Sequence, residues 1–448
     1  MSKRSWALIA TILGSGVVFL DSTIVNLALP RISVSLHGHF SDLQWIADGY
    51  LLSLSSLILL GGSLGDIFGR KRVYLIGLTG FGAMSLLCGL SPSISFLIIF
   101  RVLQGIFGAL LVPGGLAIIN TNFPRAERGQ AIGRWSAWSG ILTAVGPLAG
   151  GYIIDAISWR WIFFINIPLI ILCGLLAAKY VDESKDGRVR RVDGRGAALA
   201  ALALAGITYG LINGPADHWR SKSLTTLIGG LVVGGLFLWY EARIRDPMLE
   251  LQLFRSRNFS GSNLMTFAMY GALSGFMFAL VIYMQTKLGY SAIKAGVSLL
   301  PVSIVLLLFS SRIGALSSKL GPRLFMTAGP LIAALGMFLL IGYQPGDSYL
   351  WFLLPRVLIF AIGMVLLVAP LTTTVMTSVE DSSSGIASGI NNAVSRIAGL
   401  VVIALLGLAG AGDTYHFSMI LCACLATAAG LTSYLTIQNK AKPLRVEN

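Results

Sequence analysis

Charge is scarce in this sequence. Only 12% of its 448 residues are Asp, Glu, Lys or Arg, against roughly a quarter in soluble globular proteins, which argues against an ordinary water-soluble fold. Acidic residues are the rarer sign, 19 against 33 basic. The resulting excess would suit nucleic acid only if the basic residues shared one face or one domain, and they are scattered along the chain. Cysteine and histidine number four each. Cys88, Cys173, Cys422 and Cys424 all fall in apolar runs, so a disulfide framework is not expected, and the Cys422/Cys424 pair lacks the further ligands zinc requires. His37, His39, His218 and His416 lie between the runs, where they are either solvated surface residues or tune proton sensing near neutral pH. A Gly-x-x-x-x-Gly-Lys-Ser/Thr phosphate loop is missing, as is any His/Asp/Glu cluster at metal spacing within the runs. Neither ATP, a metal nor another cofactor is therefore expected.

What the sequence has is apolar length. Hydrophobic residues make up 55%, and stretches of about 20 residues, enough to cross hydrocarbon, recur near 6–28, 43–64, 73–91, 94–120, 129–153, 160–180, 195–213, 223–242, 259–286, 295–313, 323–342, 349–369, 384–410 and 415–437. The expected fold class is all-α integral membrane with 14 spans. Lys3 and Arg4 precede the first run as in a signal peptide, but the run closes on Leu27-Ala28-Leu29-Pro30 rather than a small-residue cleavage site, so it reads as an uncleaved span. With a cytoplasmic N-terminus, 24 Lys and Arg fall on the cytoplasmic side, six outside (Arg31, Arg160, Arg220, Lys222, Lys287, Lys294) and three within spans. The positive-inside rule then places both termini in the cytoplasm of a multi-pass cell-membrane protein, and explains the basic balance without a nucleic-acid partner.

The chain also repeats itself. Arg101-Val102-Leu103 with Gly108 and Pro113 is echoed by Arg356-Val357-Leu358, Gly363 and Pro370, and Gly62, Leu64, Gly69 and Lys71 by Gly314, Leu316, Gly321 and Arg323. These copies lie about 255 and 252 residues apart, so spans 1–6 and 9–14 read as parallel repeats forming two six-helix bundles about a central cavity. Residues 1–181 would form the first bundle, 182–257 a polar linker with two inserted spans, and 258–448 the second bundle. Pro247 and the mixed residues up to Asn258 suggest a helix at the interface before the second bundle begins.

Ionisable residues at bilayer depth cost a few kcal/mol or more unless paired or wet. At 1.5 Å per residue, Asp21, Arg101 and Asp48 all lie about 8–10 Å below the outer ends of spans 1, 4 and 2. An arginine nearby favours an ionised carboxyl and exclusion of water favours a protonated one, so a cavity that alternates between wet and dry could load and release a proton. Asp21 and Arg101 equally fit a fixed ion pair between spans 1 and 4. Asp48 fits a wet functional acid or a hydrated carboxylate near a helix start. In the loop Gly62 to Lys71, glycine permits a tight turn, and Asp66 can face helix N-termini or basic residues of a neighbouring helix.

Leu20-Asp21-Ser22-Thr23-Ile24-Val25-Asn26-Leu27-Ala28-Leu29-Pro30 and Gly62-Ser63-Leu64-Gly65-Asp66-Ile67-Phe68-Gly69-Arg70-Lys71 resemble signatures of the major facilitator superfamily, and within it the fourteen-span drug:proton antiporters. The resemblance implies proton handling by Asp21 and by Arg101 of the Arg101/Gln104/Gly105 run. It implies a gate loop of Gly62, Leu64, Asp66, Gly69, Arg70 and Lys71, with Ile67 where a basic residue is common and Ser318 replacing Asp66 in a second, weaker copy. Trp45-Ile46-Ala47-Asp48-Gly49-Tyr50 resembles a run in some quaternary-ammonium exporters. Gly146, Pro147, Gly150 and Gly151 resemble the motif that separates antiporters from uptake members, with Leu142 at a usual glycine position.

For substrate contacts, Asn263, Phe267, Tyr270, Ser274, Met277 and Val281 form a polar and aromatic stripe at helical spacing, suited either to helix packing or to a cavity wall. Tyr270 and Phe267 could stack on a flat cation and Met277 adapts to varied shapes. Gln104, Trp135, Trp138, Asn391 and Asn392 are further candidates. Arg396, near mid-bilayer, would bond helix carbonyls or attract an anion. The expected function is export of small lipophilic, cationic or multiple drugs in exchange for protons by alternating access, by a monomer in contact with membrane lipid. Export of one metabolite, lipid or anion is the alternative, and a membrane-embedded enzyme a remote one.

Overall fold

Unpaired backbone groups cost several kcal/mol each in hydrocarbon, so apolar runs of this length fold into helices that bond internally. The computed structural model describes residues 2–185, 193–244, 247–380, 384–409 and 413–439. Its long helices are α1 (Lys3–Leu36), α2 (Phe40–Phe68), α3 (Arg70–Gly89), α4 (Ile94–Asn122), α5 (Arg125–Ala156) and α6 (Trp161–Tyr180), then α7 (Gly194–Ala216) and α8 (Ser221–Glu241). They continue with α9 (Arg257–Thr286), α10 (Ala292–Leu320), α11 (Pro322–Leu339), α12 (Tyr349–Thr377), α13 (Ser384–Leu405) and α14 (Thr414–Thr436). Among the described residues, thirteen are long and apolar enough to cross a membrane. Helix α5, at 32 residues, fills the remaining place and begins with the polar turns Arg125 to Arg134.

Several helices outrun their apolar stretches. Helix α1 continues through Pro30 to Leu36, where His37 at φ 56° closes it in the left-handed region. Hydropathy marks the part that suits hydrocarbon, whereas the backbone ladder continues into the interface until a capping residue stops it. Between Ser256 and the second inserted helix, the expected interfacial helix is one short 3-10 segment, Leu251–Arg255.

The pairing of helices repeats. In the first bundle the main neighbours are α2 with α4, α3 with α4, α1 with α5, α1 with α6 and α3 with α6; eight helices later, α10 packs on α12, α11 on α12, α9 on α13, α9 on α14 and α11 on α14. The two six-helix bundles are thus built to one plan. Helices α7 and α8 form a hairpin whose backbones nearly touch, since a Cβ on Gly206 would lie 2.9 Å from the Gly230 Cα. The hairpin leans on α2 and α13 through α7, with the Trp45 and Tyr209 rings 6.2 Å apart.

The bundles meet on the side of the membrane away from the chain termini. There α5 abuts α10 and α1 approaches α9, while α2 runs along α13 from Gln44 at Ile403 to Leu59 beside Gly389. Gln44 Nε2 donates to the Ile403 carbonyl at 2.6 Å and Gln285 Nε2 to the Leu27 carbonyl at 2.9 Å. The Asp155 carboxylate accepts the Ala292 and Ile293 amides at 3.2 and 2.8 Å, capping the start of α10, where unpaired N–H groups favour an anion.

Candidate functional site

Helix α1 turns Asp21 into the first bundle, where it is fully enclosed. Arg101 Nη1 of α4 donates to Asp21 Oδ2 at 2.5 Å, with side-chain exposures of 1% and 0%. The other oxygen, Oδ1, accepts from Gln104 Nε2 at 3.2 Å and Asn166 Nδ2 at 3.0 Å. Arg101 also donates to Gln104 Oε1 at 2.7 Å and, through Nε, to the Ile46 carbonyl at 3.3 Å, and its guanidinium lies 4.1 Å from the Tyr50 ring centroid. A charge pair out of water needs its remaining donors and acceptors satisfied, and here α1, α2, α4 and α6 each contribute.

The sequence places Gln104 among the substrate contacts; in the structure it is fully buried and its carboxamide is occupied by Asp21 and Arg101. Asn166 and Ser85 are the members that sequence reasoning missed. Helix α6 breaks at Ile165, and Asn166 follows the break, bonding Ser85 Oγ at 3.0 Å as well as Asp21. Ser85 in turn donates to the Phe163 carbonyl at 2.9 Å beside the break. An asparagine inside an apolar run, two residues before Pro168, was the available signal.

Asp48 is not part of this cluster. It is fully buried, and neither carboxyl oxygen has a hydrogen-bond partner. The hydrated carboxylate near a helix start is therefore not what the structure shows: α2 begins two turns earlier, and Asp48 lies in the packed length of the helix. Thr208 of α7 is likewise buried with a lone hydroxyl.

In the loop between α2 and α3, Gly69 adopts φ 110°, a conformation that suits glycine. Asp66, in the last turn of α2, pairs with Arg70, the first residue of the neighbouring α3, at 2.7 and 2.8 Å. The group that caps α3 is Glu183, at the end of the first bundle, whose oxygens accept the Lys71 and Arg72 amides at 3.1 Å each. Lys71 Nζ reaches the Ala178 carbonyl at 2.6 Å. Gly62 lies beside Pro113 of α4, and Leu64 sits half-buried on the last turns of α2. The second copy repeats the device with an amide: Gly321 has φ 91°, and Asn439 Oδ1 accepts the Arg323 amide at 3.1 Å. Ser318, in the place of Asp66, only bonds back to the Gly314 carbonyl.

Gly146, Pro147, Gly150 and Gly151 bring three helices together. Cβ atoms on Gly146 and Gly150 would meet Thr23 and Ile24 of α1 at 2.6 Å each, and one on Gly151 would lie 2.5 Å from the Ile293 Cα of α10. Gly296 of α10 approaches the Pro147 carbonyl in the same way, at 2.4 Å. The segment therefore lies close against α1 within its own bundle and against α10 across to the other.

Of the stripe on α9, Asn263 is buried and joins Asn391 of α13, whose Nδ2 donates to Asn263 Oδ1 at 3.2 Å and Thr266 Oγ1 at 2.8 Å. Phe267, Tyr270 and Met277 are half-buried, as is Asn392. Trp138 is exposed on α5, whereas Trp135 is a core residue that donates to Ser15 Oγ at 3.2 Å. It packs with Leu8, Ile12 and Ile119, which removes it from the substrate candidates. Arg356, the counterpart of Arg101 in the repeat, has no carboxylate partner among the described residues; it bonds the Leu339 and Phe352 carbonyls at 3.1 and 2.6 Å and covers the Phe352 ring at 3.6 Å. Arg396 lies with its guanidinium 5.4 Å from the Phe19 ring of α1.

A family model described as Major Facilitator Superfamily matches residues 11–403. Multidrug resistance protein Stp of Mycobacterium tuberculosis is 35% identical over 402 residues, covering 89% of this chain and 74% of that one. The tetracenomycin C resistance and export protein of Streptomyces glaucescens is 32% identical over 413 residues, covering 90% and 76%. Among solved structures, a peptide transporter, POT, in complex with sulfate superposes with a TM-score of 0.73 at 15% identity, covering 97% of this chain and 94% of that one, which is a likeness of fold.

Proposed function

This chain belongs to the Major Facilitator Superfamily of transporters, and we propose that it exports small lipophilic drugs in exchange for protons. The observation that carries the proposal is the ion pair of Asp21 and Arg101, sealed inside the first bundle and bonded by Gln104 and Asn166. Such a pair holds a proton-accepting group at bilayer depth, where ionisable residues are costly and mark ion pathways. The names of the relatives, which concern resistance and export, support a drug as cargo.

Alternating access is supported by the uneven contact between the bundles. Among the described residues the hydrogen bonds between them, Gln44 to Ile403, Gln285 to Leu27 and the Ala292 and Ile293 amides to Asp155, lie on the side away from the termini, and the excess of Lys and Arg assigns the other side to the cytoplasm of a cell-membrane protein. The described state would then be open to the cytoplasm. Drug enters there, Asp21 releases its proton inward, and rocking about the Gly146 to Gly151 segment exposes the cargo outside. Glu183 and Asn439, capping α3 and α11, would hold the two gate loops through the cycle. One chain contains both bundles, so the working unit is a monomer driven by the proton gradient with no cofactor.

The test is reconstitution in liposomes with an imposed pH gradient and ethidium as probe. Ethidium movement that follows the sign of the gradient is the expected result. No movement with folded protein contradicts drug:proton exchange for a cationic cargo.

A further inference from the structure

The three arginines at bilayer depth differ in how they are accommodated. Arg101 has Asp21, and Arg356 has the carbonyls of Leu339 and Phe352. Arg396 has neither: among the described residues no carboxylate and no carbonyl bonds its guanidinium, which lies against the face of Phe19. Because an intramembrane guanidinium without a partner is expensive, the position calls for an anion that the chain itself does not supply.

The location is set by the face of α13 on which Arg396 stands. On that face Gly389 lies beside Leu59, Gly399 between Ser274 of α9 and Leu51, and the Ile403 carbonyl accepts from Gln44. Leu59, Leu51 and Gln44 belong to α2, so Arg396, between Gly389 and Gly399, stands where α13 meets the first bundle. Asn392, one turn away on the same face, is half-buried and supplies a second polar group. Phe19 reaches the site because α1 turns Asp21 inward and Phe19, two residues earlier, toward the second bundle. Asp21 is already paired with Arg101, and the buried acid Asp48 of α2 bonds no partner, so the Arg396 guanidinium stands without a bonded anion among the described residues.

We propose that Arg396, with Asn392 and the Phe19 ring, forms a subsite for an acidic group carried on an aromatic substrate. The guanidinium takes the carboxylate in a planar, two-point contact, and Phe19 packs against the adjoining ring. The proposal rests on the transport reading above, and it adds acidic aromatic compounds to the lipophilic cargo of that reading.

Equilibrium binding tests it without any gradient, so its failure is separable from failure of proton-driven transport. Coumarin-3-carboxylate and its uncharged ethyl ester, measured by fluorescence on the whole protein in an uncharged detergent, differ in the acidic group alone. Wild type is expected to bind the acid at least tenfold more tightly than the ester. Arg396→Gln should bring that ratio close to one, and Arg396→Lys should keep part of it. Asn392→Asp, which leaves Arg396 in place but sets a competing carboxylate one turn away, should also abolish the preference, and it serves if the glutamine variant does not fold. A wild type without acid preference, or a preference that persists in both Arg396→Gln and Asn392→Asp, overturns the proposal.

Discussion

Arg101 and Asp21 form a 2.5 Å ion pair that no water reaches, and the pair is asymmetric in what each partner loses when the other is removed. Arg101→Ala leaves a buried carboxylate with only amide donors, and removing one member of a buried pair costs about 3–5 kcal/mol. Asp21→Asn leaves the guanidinium with the Ile46 carbonyl, Gln104 and the Tyr50 face, and is expected to cost less. Thermal unfolding in detergent should rank wild type above Asp21→Asn, and Asp21→Asn above Arg101→Ala. The double variant Asp21→Asn/Arg101→Gln should recover most of the loss seen with Arg101→Ala. An equal loss for all three variants would mean that the pair contributes no specific charge complementarity.

Glu183 joins the end of the first bundle to the start of α3, so Glu183→Ala should loosen the gate loop without touching the acid cluster. Loss of a helix-capping side chain costs about 0.5–2 kcal/mol. The expected readout is faster proteolysis of the linker that follows Glu183, with Glu183→Gln intermediate because one carboxamide oxygen can still accept an amide. Gly69→Ala should be worse than either variant: its φ of 110° is unfavourable for alanine, and the added Cβ would lie 2.7 Å from the Glu183 carboxylate.

Gly151 and Gly296 set how closely α5 and α10 approach. Gly151→Leu cannot be accommodated against the Ile293 backbone, so the closed contact on that side should be lost. Transport is expected to fall at least tenfold while drug binding to the detergent-solubilised protein persists. Retained transport would show that the contact is dispensable to the cycle.

Asp48 has no partner for either oxygen in its buried position, and an unpartnered buried acid opposes folding. Asp48→Asn is therefore expected to leave the melting temperature unchanged or raise it. A simultaneous loss of pH-driven transport would identify Asp48 as a residue kept for function at a cost in stability; unchanged transport would make it dispensable.

The helices and the repeat were legible because span length and residue spacing are local properties: Arg101 and Arg356 announce the two copies, and the helix pairings follow the same offset. Asp21 and Arg101 could be matched by depth, since 1.5 Å per residue fixes height along a helix. Azimuth across helices was less accessible. Trp135 reads as a cavity aromatic in sequence, but the crossing of α5 with α1 turns it onto Ser15, and Gln104 is drawn to Asp21 by a contact 83 residues away in sequence. Asp48 looked wet because burial by tertiary packing leaves no mark in the local sequence. Glu183 lay in what read as a polar linker, where a capping carboxylate has no periodic signature.

The most direct measurement compares wild type and Asp21→Asn in liposomes, following drug exchange with and without a pH gradient. The account predicts that Asp21→Asn keeps gradient-free exchange and loses gradient-driven accumulation, because carriage needs the two bundles and coupling needs the carboxyl. Accumulation by Asp21→Asn against a concentration gradient, driven by pH alone, would contradict Asp21 as the proton-coupling acid.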